Sequence, residues 1–252
     1  SHIKNGYTYD GIYITRHSST LDLSGNTIRN MNGGGIYLSE STALNGITDN
    51  TIAGVKRYGI YLYSGSKAKV GITGNLIKSK SEAEALIYLN TTVKTKHIIQ
   101  NNILKGYKNN AAIRIDNGRF SISDNIITNV SDGITIGTGE NISGAIYANK
   151  CKTKAATRIQ VADKIFHISG MSQDSIVSED GSIEVDLPKI KGIKGYRVLV
   201  SGDEDFAGNV QAYSYKKNKT TATIKGLAEG STYYVRTYGY KSYNGVKIYK
   251  NE

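Results

Sequence analysis

Short runs of alternating apolar and polar residues, broken by Gly, Asn, Ser and Asp, predict short β-strands rather than helices along the chain. Two strips of this pattern return in phase. The first reads aliphatic, two spacers, Asn, one spacer, apolar: Leu23-Ser-Gly-Asn26-Thr-Ile28, Ile47-Thr-Asp-Asn50-Thr-Ile52, Ile72-Thr-Gly-Asn75-Leu-Ile77. It continues as Ile99-Gln-Asn-Asn102-Ile-Leu104, Ile122-Ser-Asp-Asn125-Ile-Ile127 and Ile146-Tyr-Ala-Asn149-Lys-Cys151. Successive Asn are 24, 25, 27, 23 and 24 residues apart. The second strip is Ile12-Tyr-Ile14, Ile36-Tyr-Leu38, Ile60-Tyr-Leu62, Ile87-Tyr-Leu89, Ile113-Arg-Ile115, Ile134-Thr-Ile136 and Ile159-Gln-Val161.

No such run can bury its apolar face alone. Stacking one period on the next, about 4.8 Å apart, makes a continuous core flanked by parallel sheets. The Asn is expected at a recurring tight bend, in the left-handed backbone region, with its amide bonded to the same amide one coil away. Cys151 takes a slot filled elsewhere by Ile or Leu, which reads as a buried small hydrophobe rather than a nucleophile.

The strips Gly-Ile-Tyr-Leu and Ile-x-x-Asn-x-Ile resemble the right-handed parallel β-helix repeats of the pectin-lyase-like superfamily, over roughly residues 8–172. The resemblance implies the fold far more than an activity, since it embraces lyases, hydrolases, epimerases, phage tailspikes and adhesins. The chain starts almost inside a coil with no capping helix, so it reads as an N-terminally truncated, C-terminal part of a longer protein. At Ile168-Ser-Gly-Met171 the repeat decays.

Beyond residue 173 the strands lengthen, clearest in Tyr196-Arg-Val-Leu-Val200, Thr221-Ala-Thr-Ile224 and Tyr233-Tyr-Val-Arg-Thr237. The expected organisation is therefore an all-β chain: a parallel β-helix over 1–173 and a small antiparallel β-sandwich over 174–252. Leu227-Ala-Glu-Gly-Ser-Thr-Tyr233 is similar to the tyrosine corner of fibronectin type III domains in large exported proteins of Gram-positive gut bacteria. That resemblance implies a spacer or adaptor, export to the medium or cell surface, and a Tyr233 hydroxyl bonded to backbone. Leu187 stands where the usual strand-B Trp would be.

Composition changes the picture in two respects. A single Cys excludes disulfide frameworks and multi-cysteine metal sites, and no apolar run reaches membrane-spanning length, so no metal, cofactor or membrane insertion is expected. The net charge of +11 favours polyanionic neighbours. It is concentrated in 1–173, which carries 20 basic and 11 acidic side chains against 12 and 10 in the remainder. Lys67 and Lys94, Lys69 and Lys96, and Lys78 and Lys105 are each 27 residues apart, matching the local coil, so each pair is expected to stack. Lys67, Lys69, Lys94 and Lys96 form the candidate basic patch: either a solvated face or a site for uronates, sulfates or wall phosphates. The aromatic row is not interleaved with these lysines, which disfavours nucleic acid.

No complete catalytic motif is present. The paired-aspartate, Gly-His-Gly and Arg-Ile-Lys motifs of polygalacturonase-like hydrolases are missing. Asp10-Gly-Ile and Asp132-Gly-Ile match one fragment, but five coils, about 24 Å, separate them, whereas paired glycosidase carboxylates need roughly 5–10 Å. What aligns is aromatic. With its flanking aliphatics facing inward, the middle residue of the second strip faces out: Tyr13, Tyr37, Tyr61, Tyr88, then Arg114. Two positions on come Thr15, Ser39, Tyr63, Asn90 and Asp116, outward by the same parity.

Tyr13, Tyr37, Tyr61, Tyr63, Tyr88 and Arg114 are thus the candidate polysaccharide-binding residues, as an exposed ladder on which sugar rings could stack. Arg114 and Asp116 are weak catalytic candidates, the plain alternative being a surface ion pair. Three readings stand at this point. One is a glycan-binding fragment of an exported bacterial carbohydrate-active or surface protein, its polysaccharide partner acidic if the charge is used. The second is a polysaccharide lyase, hydrolase or epimerase working on the same face through a Tyr or Lys of lowered pKa. The third is a structural adhesin or stalk with no ligand groove.

Overall fold

The computed structural model describes residues 1–4, 9–16, 22–40, 46–63, 69–81, 83–92, 94–107, 111–167, 173–206 and 208–250. Lys67 and the decaying repeat at 168–171 lie outside them. The chain divides into two compact units, Ser1–Ile168 with Tyr243–Val246, and Ser169–Ser242 with Lys247–Glu252.

The first unit is a parallel β-helix. Its first sheet stacks His2–Lys4, Thr27–Arg29, Thr51–Val55, Leu76–Ser79, Ile103–Lys105, Ile126–Thr128 and Lys150–Cys151. The second stacks Ile12–Thr15, Ile36–Ser39, Tyr58–Tyr63, Ala85–Asn90, Ala111–Asn117, Asp132–Ile136 and Arg158–Val161, closed by antiparallel Lys164–His167. The third stacks Asp22–Ser24, Gly46–Thr48, Gly71–Thr73, Lys96–Gln100, Arg119–Ser123 and Ser143–Tyr147. The register is that of the sequence strips: Ile36 pairs with Ile60, Ile87 with Ile60 and Ile113. Each sheet therefore sends one aliphatic column into the lumen, for instance Ile28, Ile52, Ile77, Leu104 and Ile127, all buried. Each such side chain contributes about 1.5–3 kcal/mol relative to exposure.

The Asn column welds the coils at the corner between the third and first sheets. The Oδ1 of Asn50 accepts from both the backbone N–H (2.9 Å) and the Nδ2 (3.0 Å) of Asn26. Asn75, Asn102, Asn125 and Asn149 repeat the arrangement downward. One expectation is corrected: the left-handed residue is not the ladder Asn but the one before it. Gly25, Asp49, Gly74, Asn101, Asp124 and Ala148 carry φ of +62°, +54°, +68°, +56°, +56° and +54°. That residue makes the bend, which leaves the Asn free to turn its amide inward.

The second unit consists of antiparallel strands. Gly195–Ser201 lies between Val210–Lys216 and Thr232–Tyr243, and Asp174–Val177 pairs with the latter. Ser182–Asp186 pairs with Thr221–Lys225. Ile183, Val185, Leu187, Tyr196, Val198, Val200, Ile224 and Val235 form its core. The Tyr233 hydroxyl accepts a hydrogen bond from the Ala228 N–H at 3.0 Å, and its ring is half-buried rather than buried.

Candidate functional site

The second sheet carries the aromatic face. Tyr13, Tyr37, Tyr61 and Tyr88 hold consecutive registers, but parity fixed only their direction, not their exposure. Tyr13, at the end of the row, is 60% exposed, and Tyr63 is 42% exposed. Tyr37 and Tyr61 are half-buried, and Tyr88 is buried at 8%. Tyr88 has Tyr61 stacked on one side, ring centroids 4.4 Å apart, and the Arg114 guanidinium 4.9 Å from its centroid on the other.

The row is not one continuous stack either. Tyr13 and Tyr37 are parallel at 4.8 Å, but Tyr37 meets Tyr61 edge-on at 85°. Tyr61 also meets Tyr58 and Tyr63 at steep angles, 63° and 64°. Rings set this way form walls rather than a platform. They surround an open cleft of about 630 Å³ lined by Tyr9, Asp10, Tyr13, Tyr37, Arg57, Tyr58, Tyr61 and Tyr63.

Four of these, Tyr9, Asp10, Arg57 and Tyr58, were not among the sequence candidates. Three consecutive coils build them in. Asp10, Gly34 and Tyr58 occupy one register, and Tyr58 lies across Gly34, where an added Cβ would come within 1.9 Å of its ring. Reaching past that glycine, the Tyr58 hydroxyl donates to Asp10 Oδ2 at 2.8 Å, while the Gly34 N–H donates to Asp10 Oδ1 at 2.5 Å. Both carboxylate oxygens are thus engaged. Arg57 is exposed, its guanidinium carbon 5.9 Å from the Tyr58 ring centroid. The available signal was a Tyr two coils below an Asp, with a Gly between them.

Four tyrosine hydroxyls of this face, those of Tyr37, Tyr58, Tyr61 and Tyr88, are raised. Burial, then the bond to Asp10, raises Tyr58, and burial raises Tyr37. Burial and the neighbouring Tyr37 and Tyr63 push Tyr61 up to about 12. Burial, then the bond to Asp116, raises Tyr88. A proton-abstracting tyrosine needs the opposite shift.

Arg114 and Asp116 sit outside the cleft and bond to each other. Arg114 donates through Nε to Oδ1 and through Nη2 to Oδ2, both at 2.9 Å, and the Tyr88 hydroxyl donates to Oδ2 at 2.5 Å. Asp116 does not align with Asn90 as the parity count had it. The register slips after Leu89, and Asn90 pairs with Asn117. The bond to Asp116 raises the Arg114 pKa further, fixing its charge.

Asp10 and Asp132 hold the same register five coils apart, and Asp132 forms an ion pair with Arg158 at 3.1 Å without hydrogen-bond alignment. Cys151 is partly buried. Its thiol donates to the Ala156 carbonyl at 3.2 Å, and burial pushes its pKa up to about 12, away from nucleophilic chemistry.

Of the basic patch, Lys69, Lys94 and Lys96 are exposed, and Lys96 continues in register to Arg119. Among the described residues, no group of three or more His, Cys, Asp or Glu is placed to hold a metal ion. No helix among them is long and apolar enough to cross a membrane.

The family described as the right handed beta helix region matches residues 10–210, and the chain belongs to that family. Among curated proteins none matches the chain. The solved tailspike gp61 of Pseudomonas phage phi297 is similar at 10% identity, over 94% of this chain and 63% of its own, with a TM-score of 0.19. The chain thus spans less than two thirds of that tailspike's length, and a likeness of this degree says nothing about what this chain binds.

Proposed function

We propose that the first unit is the glycan-binding part of an exported bacterial surface protein, with the polysaccharide seated in the tyrosine-lined cleft. The observation that carries this reading is the gathering of six tyrosines from three coils around one open cleft. Sugar rings present C–H faces that pack on aromatic faces, and hydroxyls that pair with phenols and guanidinium groups. Arg57 at the rim supplies the cation for a sugar carboxylate. The fold is in keeping with the pectin-lyase-like superfamily. The Ala228–Tyr233 bond and the buried Leu187 support a fibronectin type III-like spacer for the second unit. Export, at the surface of a Gram-positive bacterium, follows from that second resemblance.

Binding is favoured over a lyase, hydrolase or epimerase reaction on the same face. The phenols of Tyr37, Tyr58, Tyr61 and Tyr88 are shifted away from base catalysis, and Arg114 and Asp116 are occupied with each other. It is favoured over a bare stalk because the cleft is open.

The test is titration calorimetry on a panel of neutral and acidic polysaccharides, with Tyr13→Ala/Tyr63→Ala as the variant, since these two exposed rings can be removed without opening the core. Loss of two stacking faces at about 0.5–1.5 kcal/mol each lowers affinity by about five- to 150-fold. Unchanged affinity across the panel would sink the reading.

A further inference from the structure

The first sheet carries a feature separate from the cleft. Its outward register runs Lys4, Arg29, Ala53, Lys78, Lys105 and Thr128, each paired in turn with the next. One residue beyond the paired Ile127 and Cys151, Lys152 takes the next place, its N–H bonded to the Ile127 carbonyl. Five of these seven places are cationic, and all five side chains are exposed. None of the seven strands of this sheet contains an Asp or Glu. The nearest acids along the chain, Asp49 and Asp124, sit at the bend that precedes the strands. The ion pairs of the described residues are made by Arg16, Arg114 and Arg158, none of them in this row. Two residues before the cations lies a second outward row, in which Leu76, Ile103 and Ile126 are adjacent, with Ile103 37% exposed.

We infer that this sheet is a docking strip for a linear acidic polysaccharide lying along the helix axis. The repeat and chemistry of the strip support that choice. Coils about 4.8 Å apart place the cations in a row about 29 Å long from Lys4 to Lys152. An extended single chain with one anionic group per sugar can follow such a line, its carboxylates or sulfates on the basic row and its C–H faces on the aliphatic row. Duplex DNA fits poorly, because its phosphates, about 3.4 Å apart along each strand, wind away from such a row. Single-stranded nucleic acid binds through aromatic stacking, and no strand of this sheet contains Phe, Tyr or Trp. The inference does not rest on the tyrosine cleft: the two lie on different sheets, and either can fail alone.

The test uses the full chain and fluorescence anisotropy with three labelled probes: an oligouronate long enough to span the strip, a neutral oligosaccharide of the same length, and an oligothymidylate. Expected is oligouronate binding that weakens with salt, no binding of the oligothymidylate, and any binding of the neutral probe unaffected by the lysines. Lys78→Glu/Lys105→Glu should lower the oligouronate affinity at least tenfold and flatten its salt dependence. Lys78→Gln/Lys105→Gln, a milder change at the same exposed sites, should go the same way by less, and thermal melts establish that both variants fold. In the Tyr13→Ala/Tyr63→Ala background, which removes the two exposed rings of the cleft, the same lysine substitutions should cause the same further loss of oligouronate affinity. The proposal is overturned by lysine variants that bind oligouronate like the parent, by neutral-probe binding that falls as far with the lysines, by oligothymidylate bound as tightly, or by uronate binding that is lost with the tyrosines and not with the lysines.

Discussion

Gly34→Ala is the smallest substitution that should dismantle the cleft. The added methyl would lie 1.9 Å from Cε2 of Tyr58, 2.2 Å from Cδ2 and 2.7 Å from Cζ. Carbon atoms rest about 3.5–4.0 Å apart, so the ring must withdraw by about 1.5–2 Å. Tyr58 is only 3% exposed and packs against Tyr37 and Tyr61, so its ring must displace them or swing into the cleft it lines. The same movement carries its hydroxyl out of reach of Asp10, from 2.8 Å to beyond hydrogen-bonding range.

Overpacking at such a site costs about 1–3 kcal/mol. A hydrogen bond to a charged group contributes about 1.5–3 kcal/mol, less here because Asp10 is half-exposed. A total near 3 kcal/mol lowers the melting temperature by about 6–12 °C for a unit of this size. Glycan affinity should fall with it, since Tyr58 is a wall of the cleft. Tyr58→Phe separates the contributions: it removes only the hydroxyl bond and should cost less than half as much. Differential scanning calorimetry and the binding titration read both effects. If Gly34→Ala melts within about 2 °C of the parent and binds as well, the stacked Asp10–Gly34–Tyr58 register does not hold the cleft together.

Two further outcomes follow from the coil interior. Asn75→Ala removes an amide that accepts from Asn50 twice and donates to Ile47, Thr73 and Asn102, and its buried partners lose about 1–3 kcal/mol each where no water reaches. A loss near 4 kcal/mol in urea unfolding is expected, and one below about 1 kcal/mol would contradict the ladder's role. His97 is fully buried, taking the Val70 N–H on Nδ1 and facing Thr91 Oγ1 with Nε2, and burial lowers its pKa to about 4. The unfolded chain therefore binds more protons between about pH 6.5 and 4. Stability should be full above pH 6.5 and fall by about 3 kcal/mol as the pH drops to 4. His97→Gln should flatten that profile, and an unchanged profile would show that His97 is not the group responsible.

The fold was legible because a solenoid writes its contacts into the sequence at one period. Ile36, Ile60, Ile87 and Ile113 are spatial neighbours and also counterparts in the repeat, so aligning the strips is the same act as pairing the strands. The site was only half legible. Tyr13, Tyr37 and Tyr61 were found because they too repeat, and Tyr63 by its parity two places on, whereas Asp10, Gly34 and Tyr58 differ from one another and their shared place looks like no pattern at all. The outward direction of Tyr88 was correct, yet Tyr61 and Arg114 cover it from both sides, and alternation does not report such covering. The bend was misassigned by one residue because Gly, Asp, Asn and Ala all fill the left-handed place, while the neighbouring Asn alone stays constant.

The asparagine column also bears on how such a chain can change over generations. Asn50, Asn75, Asn102 and Asn125 each bond upward and downward through the same atoms at nearly the same distances. A gene that gained or lost one whole turn would rejoin two surfaces already made for each other, so length can drift with little penalty. The cleft has no such freedom, because Asp10, Gly34 and Tyr58 do different jobs on three successive turns. Inheritance by whole turns would keep the scaffold and erase the cleft wherever a cut fell among those three.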